Sequence, residues 1–239
     1  MPGGEARRAG ARAIVFVPEQ ASAAKVALIE RQGAELRRVG ADLDEAKAAA
    51  RELAEREGWF LFEDGAEPAQ FDGYAAVGDE LLDQLTEPPG SVVVPVGNGA
   101  LAIGVFRALA ARAPTTERVA VSAAGAPAMW ESWRAGRPVD AESSATFADG
   151  LAVRIAIPLA VAELNPLVQR FELVTERELA LAVGAYAEVG IRVEGAAAAP
   201  LAVALRETLR RPVVLIVTGR NIDDELWRRA VAAPDSFAA

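Results

Sequence analysis

The chain has 239 residues, 52% of them hydrophobic, and its 34 acidic and 25 basic side chains give a formal net charge of −9. This charge disfavours nucleic acid and anionic membranes as main partners, because both require a basic surface. The chain has no cysteine and no histidine, which excludes disulfides, thiol nucleophiles and Ser-His-Asp catalysis and disfavours a zinc site. We find no signal peptide and no apolar run of the roughly 20 residues that span a bilayer, so we expect a soluble, cytoplasmic protein.

Short β-branched runs alternate with longer helical patterns along the chain. Up to residue 85, we predict strands at Ala13–Val17, Glu35–Val39 and Trp59–Phe62, and helices at Ser22–Gln32, Asp42–Glu57 and Gly73–Leu85. From residue 91, we predict strands at Ser91–Val96, Arg118–Ser122, Arg170–Val174 and Pro212–Val217, and helices at Gly104–Arg112, Glu176–Val189 (N-cap Thr175) and Ala196–Leu209. This alternation predicts an α/β fold with mainly parallel sheets flanked by helices.

The clearest candidate for chemistry is a glycine turn that follows an apolar strand. Residues 93–103 read VVPVGNGALAI, so Gly97 and Gly99 separate a buried strand from a helix. Backbone N–H groups at such a turn can point at one anion, helped by the positive end of the helix dipole. A tight turn that binds no ligand explains the spacing equally well. A dinucleotide fingerprint fits badly, because Ala102 stands where a third glycine is needed, and no Gly-Lys-Ser/Thr sequence supports a P-loop.

The turn resembles the phosphate-binding glycine loop of pyridoxal-phosphate (PLP) enzymes of the tryptophan synthase β-like family, also called fold type II. The string PVGNG at Pro95–Gly99 is most similar to threonine synthase-like members. Other strings resemble family strings in the same order, namely VPE at Val17–Glu19, ASAAK at Ala21–Lys25, GAE at Gly33–Glu35, FDGY at Phe71–Tyr74, ADGLA at Ala148–Ala152, VEGA at Val193–Ala196 and TGRN at Thr218–Asn221.

The resemblance implies PLP as cofactor and assigns residues to it. The residues that would hold its phosphate are Gly97, Asn98, Gly99, Ala100 and Leu101. Thr218 would hydrogen-bond the pyridine nitrogen, although without the family context it reads as a strand-end residue that caps a turn. Asp149 and Glu194 lie in matched strings, but no chemical role follows for either.

The cofactor lysine of the family has no counterpart here, so no catalytic residue is assigned. The only lysines are Lys25, at an ordinary surface position of the family, and Lys47, in a charged helix. In the family the lysine lies in an SFK-x-R string that would precede residue 1. The resemblance therefore implies that residues 11–58 are the remainder of a small domain. Residues 59–239 would be a large PLP-binding domain without its N-terminal part.

Three hypotheses follow for function. In the first, the chain is a truncated PLP-dependent lyase or synthase for a hydroxy or phospho-hydroxy amino acid, similar to threonine synthase or to threonine/serine dehydratase. In the second, it is one half of a split enzyme whose complementing N-terminal chain supplies the lysine. In the third, it is a non-catalytic protein that binds PLP, a phosphometabolite or a partner subunit. The complete enzyme would bind an amino-acid substrate, and members of the family are commonly homodimers.

Overall fold

The computed structural model describes residues 8–21, 23–41 and 43–237. These residues divide into two units, with the break between Glu63 and Asp64. No described helix is both long and apolar enough to cross a membrane.

The first unit contains a two-stranded parallel sheet. Its elements are β1 (Ile14–Val17), α1 (Ala23–Arg31), β2 (Glu35–Arg38) and α2 (Leu43–Glu57), and β1 pairs with β2 from Ile14↔Glu35 to Val17↔Arg38. The four predictions in this region are therefore confirmed. The predicted helix starts, Ser22 and Asp42, lie outside the described residues.

The strand predicted at Trp59–Phe62 is wrong. These residues are irregular, and Phe60 is 77% exposed. The N–H of Trp59 donates to the carbonyl oxygen of Ala54 (2.9 Å), so the segment begins as a continuation of the last turn of α2. The aromatic and β-prone composition was misleading, because no described strand pairs with these residues.

The second unit is built on a four-stranded, fully parallel sheet. Its strands are β3 (Ser91–Pro95), β4 (Glu117–Ala123), β5 (Arg170–Val174) and β6 (Val213–Leu215), in the order β5-β4-β3-β6. All five residues of β3 are buried, as expected for an inner parallel strand covered on both faces. The α/β prediction with parallel sheets is confirmed.

Helices cover both faces of this sheet. They are α3 (Pro68–Gln84), α4 (Ala100–Arg112), α5 (Ala128–Ala135), α6 (Pro158–Leu164), α7 (Glu176–Glu188), α8 (Gly195–Arg206) and α9 (Asp224–Ala232), with short 3₁₀ turns at Asp149–Leu151 and Pro234–Ser236. Successive side chains of β3 face opposite cores: Val92 and Val94 pack with α3, α4 and α6, whereas Val93 packs with α7, α8 and α9.

Two helices begin earlier than the sequence predicts. Helix α3 begins at Pro68, where the Glu67 carboxylate accepts the N–H of Ala69 (3.1 Å). Helix α4 begins at Ala100, so Gly104 lies inside it. A Cβ at Gly104 would lie 2.5 Å from the carbonyl oxygen of Phe71, which shows that this glycine allows α3 and α4 to pack closely. Gly104 therefore marks a helix–helix contact and not the start of a helix. Helices α5, α6 and α9 were not predicted.

Candidate cofactor site at the glycine turn

The glycine turn joins the buried strand β3 to helix α4. The N–H of Val96 still pairs with β4, donating to the carbonyl oxygen of Val121 (2.8 Å). Gly99 is the N-cap residue of α4 and has φ +99° and ψ −11°, a left-handed conformation that strains any residue with a side chain. Its carbonyl oxygen accepts the N–H of Ile103 (2.9 Å), so the helix starts directly behind the turn.

Most backbone N–H groups of the turn have no partner within the described part of the chain. The N–H of Ala100 donates to Asn98 Oδ1 (3.1 Å). The N–H groups without an acceptor among the described residues are those of Gly97, Asn98, Gly99 and Leu101. They lie at the positive end of a 13-residue helix. Unpaired, partly buried donors at a helix N-terminus fit a phosphate group.

Four sequence-distant turns meet at this edge of the sheet through contacts at glycines. A Cβ at Gly97 would lie 2.2 Å from the carbonyl oxygen of Gly150, and a Cβ at Gly150 would lie 2.9 Å from the Cβ of Ala196. The N–H of Glu194 donates to the carbonyl oxygen of Gly219 (3.1 Å). One continuous lining is therefore formed by four strings, namely PVGNG, ADGLA, VEGA and TGRN.

Thr218 lies at the same edge as the glycine turn. Strand β6 pairs in parallel with β3 up to Val93↔Leu215, and the N–H of Ile216 donates to the carbonyl oxygen of Val93 (3.0 Å). Thr218 follows this pairing and is exposed, and its hydroxyl makes no hydrogen bond to another described residue. The hydroxyl therefore caps no described turn, and it fits a hydrogen bond to a ring nitrogen.

Asp149 and Glu194, the acidic residues of the strings ADGLA and VEGA, stand at the start of a 3₁₀ turn and of helix α8. Glu194 is the N-cap residue of α8, but its carboxylate makes no capping bond to the helix. The carboxylate lies beside Gly219, where a Cβ would be 2.5 Å from Glu194 Oε1. Asp149 begins a 3₁₀ turn. Each makes an interaction with its surroundings, and neither gains a chemical role from this placement.

Sequence reasoning missed Asp64, which contacts the turn directly. Asn98 Nδ2 donates to Asp64 Oδ2 (2.7 Å). The two residues are far apart in the chain, and no motif joins them, so only the tertiary structure could show this contact.

The lysines behave as the sequence suggests where they are described. Lys47 lies on α2, and its Nζ is 3.5 Å from Glu63 Oε1 in a partly exposed ion pair. Such a pair is typical of a solvated surface lysine. The side chain of Lys25 lies outside the described part of the structure.

Known proteins resemble this chain over most of its length. A family described as pyridoxal-phosphate dependent enzymes matches residues 5–219. An L-threonine ammonia-lyase of Geobacter sulfurreducens is 33% identical over 218 residues, which are 90% of this chain and 54% of that protein. A serine dehydratase-like protein of Mus musculus is 30% identical over 235 residues, covering 92% of this chain and 71% of that one. The processed form of threonine deaminase isoform 2 from Solanum lycopersicum superposes with a TM-score of 0.89 at 26% identity, covering 97% of this chain and 69% of that one.

These matches agree with the parallel α/β architecture. The chain spans about half the length of the Geobacter ammonia-lyase. The structural neighbours share its α/β architecture of parallel sheets flanked by helices. This chain belongs to the pyridoxal-phosphate-dependent enzyme family of fold type II, and its relatives include threonine and serine dehydratases.

Proposed function

We propose that this chain forms the phosphate- and ring-binding part of a PLP-dependent ammonia-lyase for a hydroxy amino acid such as threonine or serine. The observation that carries the proposal is a set of four N–H groups between Gly97 and Leu101 that have no acceptor among the described residues, at the same sheet edge as Thr218. The relatives favour dehydratase chemistry over the synthase chemistry that PVGNG alone suggested.

In this proposal, different residues of the chain contact different parts of the cofactor. The turn residues Gly97, Asn98, Gly99, Ala100 and Leu101 surround the phosphate, and the N–H groups without a partner donate to its oxygens. The Thr218 hydroxyl hydrogen-bonds the pyridine nitrogen. A neutral partner leaves that nitrogen largely unprotonated, which favours elimination of a β-substituent. PLP, when bound, supplies the electron sink for chemistry at the amino-acid α-carbon.

We further propose that the lysine of the reaction comes from polypeptide outside residues 1–239. Lys47 is paired with Glu63, and the resemblance places neither Lys47 nor Lys25 at the cofactor position. In this proposal the unit that ends at Glu63 corresponds to the remainder of the small domain, and the unit from Asp64 corresponds to the large domain.

A non-catalytic protein that binds a phosphate ester at the same turn is the second candidate. It rests on the same N–H groups of the turn that lack an acceptor among the described residues, and it needs no lysine. The two candidates share the phosphate site and differ in whether a lysine-bearing segment restores chemistry.

The phosphate site is tested with a ligand that needs no lysine. Pyridoxine 5′-phosphate has no aldehyde, so its binding reports only noncovalent contacts. We expect calorimetry to show that it binds much more tightly than pyridoxine. Leu101→Pro removes one free N–H in the first helical turn, where proline is tolerated, and should weaken phosphate-ester binding about ten-fold, because a hydrogen bond to a charged group is lost.

Two further variants make the result specific. Leu101→Ala measures the contribution of the lost side chain. Arg177→Pro places proline at the same position of α7, another 13-residue helix, and should leave binding unchanged. Equal affinity for pyridoxine and its phosphate, or equal losses in the two proline variants, would remove the turn from the proposal.

Catalysis is tested by supplying the lysine. With PLP alone, we expect the chain to form no 2-oxobutyrate from L-threonine and no pyruvate from L-serine. The in-frame DNA upstream of Met1 is the first place to seek a segment that encodes the lysine. Addition of that segment should restore keto-acid formation; binding without any such restoration would leave the non-catalytic candidate.

A further inference from the structure

A directional chain of hydrogen bonds leads from a loop before α3 to the glycine turn. The N–H of Gly65 donates to Gln70 Oε1 (2.8 Å), and Gln70 Nε2 donates to one oxygen of Asp64. Asn98 Nδ2 donates to the other oxygen of Asp64 (2.7 Å). Asn98 Oδ1 accepts the N–H of Ala100 (3.1 Å). Every donor in this chain faces an acceptor.

The Asp64 carboxylate sets the orientation of the Asn98 amide. Because both Asp64 oxygens accept hydrogen bonds, the amide must present its NH₂ group to Asp64 and its oxygen to Ala100. The opposite orientation would bring two acceptors together at Asp64 and two donors together at Ala100. The carboxylate thereby determines which atom of Asn98 faces the start of α4.

The loop that carries Asp64 packs against the Asn98 side chain. A Cβ at Gly65 would lie 2.9 Å from the Cβ and Cγ of Asn98 and 2.9 Å from Ile157 Cδ1. The Asn98 side chain therefore has little room to move, and packing and hydrogen bonding hold it in the same place.

We propose that Asp64 is a positioning residue for the phosphate-binding turn and acts through Asn98. Asn98 uses the N–H of Ala100 and fixes the turn so that the remaining N–H groups point away from the helix toward one anion. This inference rests on the proposed function, since it assumes that the turn binds a phosphate group. It assigns to Asp64 no contact with the phosphate itself.

A positioning role and a purely electrostatic role of the Asp64 carboxylate predict opposite effects on phosphate affinity. An acidic group near a phosphate repels it, so loss of the charge alone would tighten binding, most of all at low salt. Loss of the hydrogen-bond chain would weaken binding. Asp64→Asn cannot keep every pairing, because an amide offers one acceptor and one donor group where Asp64 accepts twice. In the variant, the NH₂ group of residue 64 would therefore face the NH₂ group of either Gln70 or Asn98.

A double-mutant cycle measures whether Asp64 acts through Asn98. The variants are Asp64→Asn, Asn98→Ala and the double variant, with pyridoxine 5′-phosphate as the probe in calorimetry at low and high salt. We expect Asp64→Asn to weaken binding about five-fold in the wild-type background, the effect of about one hydrogen bond. In the Asn98→Ala background, it should change affinity by less than about two-fold.

The control removes the same charge elsewhere. Asp72→Asn, on α3, removes the charge of a carboxylate that accepts a hydrogen bond from Arg107 of α4 (3.0 Å) and should leave the affinity unchanged. Tighter binding by Asp64→Asn at low salt would show that the carboxylate acts by repulsion. Equal weakening in both Asn98 backgrounds would show that Asp64 only supports the fold of its loop. Either result overturns the proposal.

Amide exchange separates this inference from the proposed function. If the wild-type chain binds no phosphate ester, the proposed function fails, but the order of the turn can still be measured by NMR. We expect Asp64→Asn to speed exchange of the Ala100 amide at least about five-fold without ligand, because that amide loses its oriented acceptor. Unchanged Ala100 exchange would exclude a positioning role whether or not the ligand binds.

Discussion

Two strand-to-helix junctions at the same edge of the sheet differ in how they satisfy the helix N-terminus. After β5, Thr175 and Glu178 form a reciprocal capping box on α7. After β3, the N-cap residue of α4 is Gly99, which has no side chain, and the neighbouring Asn98 Oδ1 accepts, among the described N–H groups, only that of Ala100. Both helices have 13 residues, so the difference lies in the junctions and not in the helices. The capping box pairs the N–H groups of Thr175 and Glu178, whereas those of Gly97, Asn98, Gly99 and Leu101 have no acceptor among the described residues.

The largest expected effect comes from adding a side chain to the glycine turn between β3 and α4. Gly97→Ala places a Cβ 2.2 Å from the carbonyl oxygen of Gly150, so the turns must move apart. We expect a loss of about 2 kcal/mol in the free energy of unfolding and a loss of pyridoxine 5′-phosphate binding, measured by denaturant titration and calorimetry.

A matched alanine elsewhere controls for the added methyl group. A Cβ at Gly73 on α3 meets nothing within 4 Å, so Gly73→Ala should be neutral or slightly stabilising. If Gly97→Ala were as mild as Gly73→Ala, the close contact between the two turns would not exist in solution.

The capped junction should respond in stability alone. Thr175→Ala removes the hydroxyl that accepts the N–H of Glu178 (3.2 Å) and should lower the free energy of unfolding by about 1 kcal/mol. Phosphate-ester affinity should stay within about two-fold of wild type. A large loss of affinity in Thr175→Ala would show that the two junctions are not independent.

The smallest effect concerns pH at the same junction. Burial raises the pKa of the Glu178 carboxyl, but hydrogen bonds from Thr175 and Arg206 outweigh it and hold the pKa below its ordinary value of 4.5. The stabilising contribution of the carboxylate is therefore complete above about pH 4.5 and is lost as the pH falls through the lowered pKa.

Glu178→Gln isolates this contribution. The difference in stability between wild type and Glu178→Gln, measured by urea titration, should shrink as the pH falls from 6 to 3. A difference that grew toward low pH would contradict the lowered pKa. Phosphate binding at α4 is not expected to follow this titration.

The sequence predicted the sheet and the glycine turn because both have local signals. Buried parallel strands read as continuous Val-rich runs, and glycines directly after a strand mark the turn. Thr175 was predicted as a cap because a hydroxyl residue stands between the strand pattern and the helical pattern. Only the resemblance, and no spacing, suggests a cofactor contact for Thr218, which no local pattern distinguishes from a turn residue.

The remaining features depend on contacts between distant segments. Gly104 is predicted as the start of a helix, but it lies inside α4 and allows two helices to pack closely. Trp59–Phe62 has strand composition but no described strand beside it. Asp64 reaches Asn98 from a loop with no motif. A sequence pattern reports the conformation that a segment prefers by itself. The structure at these three places depends instead on contacts with another segment, or on their absence.

The meeting of the four turns through glycines also bears on redesign of this edge. Their geometry depends on close approaches at Gly97, Gly150 and Gly219, where an added Cβ would lie 2.2, 2.9 and 2.5 Å from an atom of another turn. A library that keeps these glycines and randomises the exposed positions between them would vary the side chains at this edge while keeping the arrangement of the four turns. The glycines themselves would tolerate almost no diversity, even under selection for folding alone.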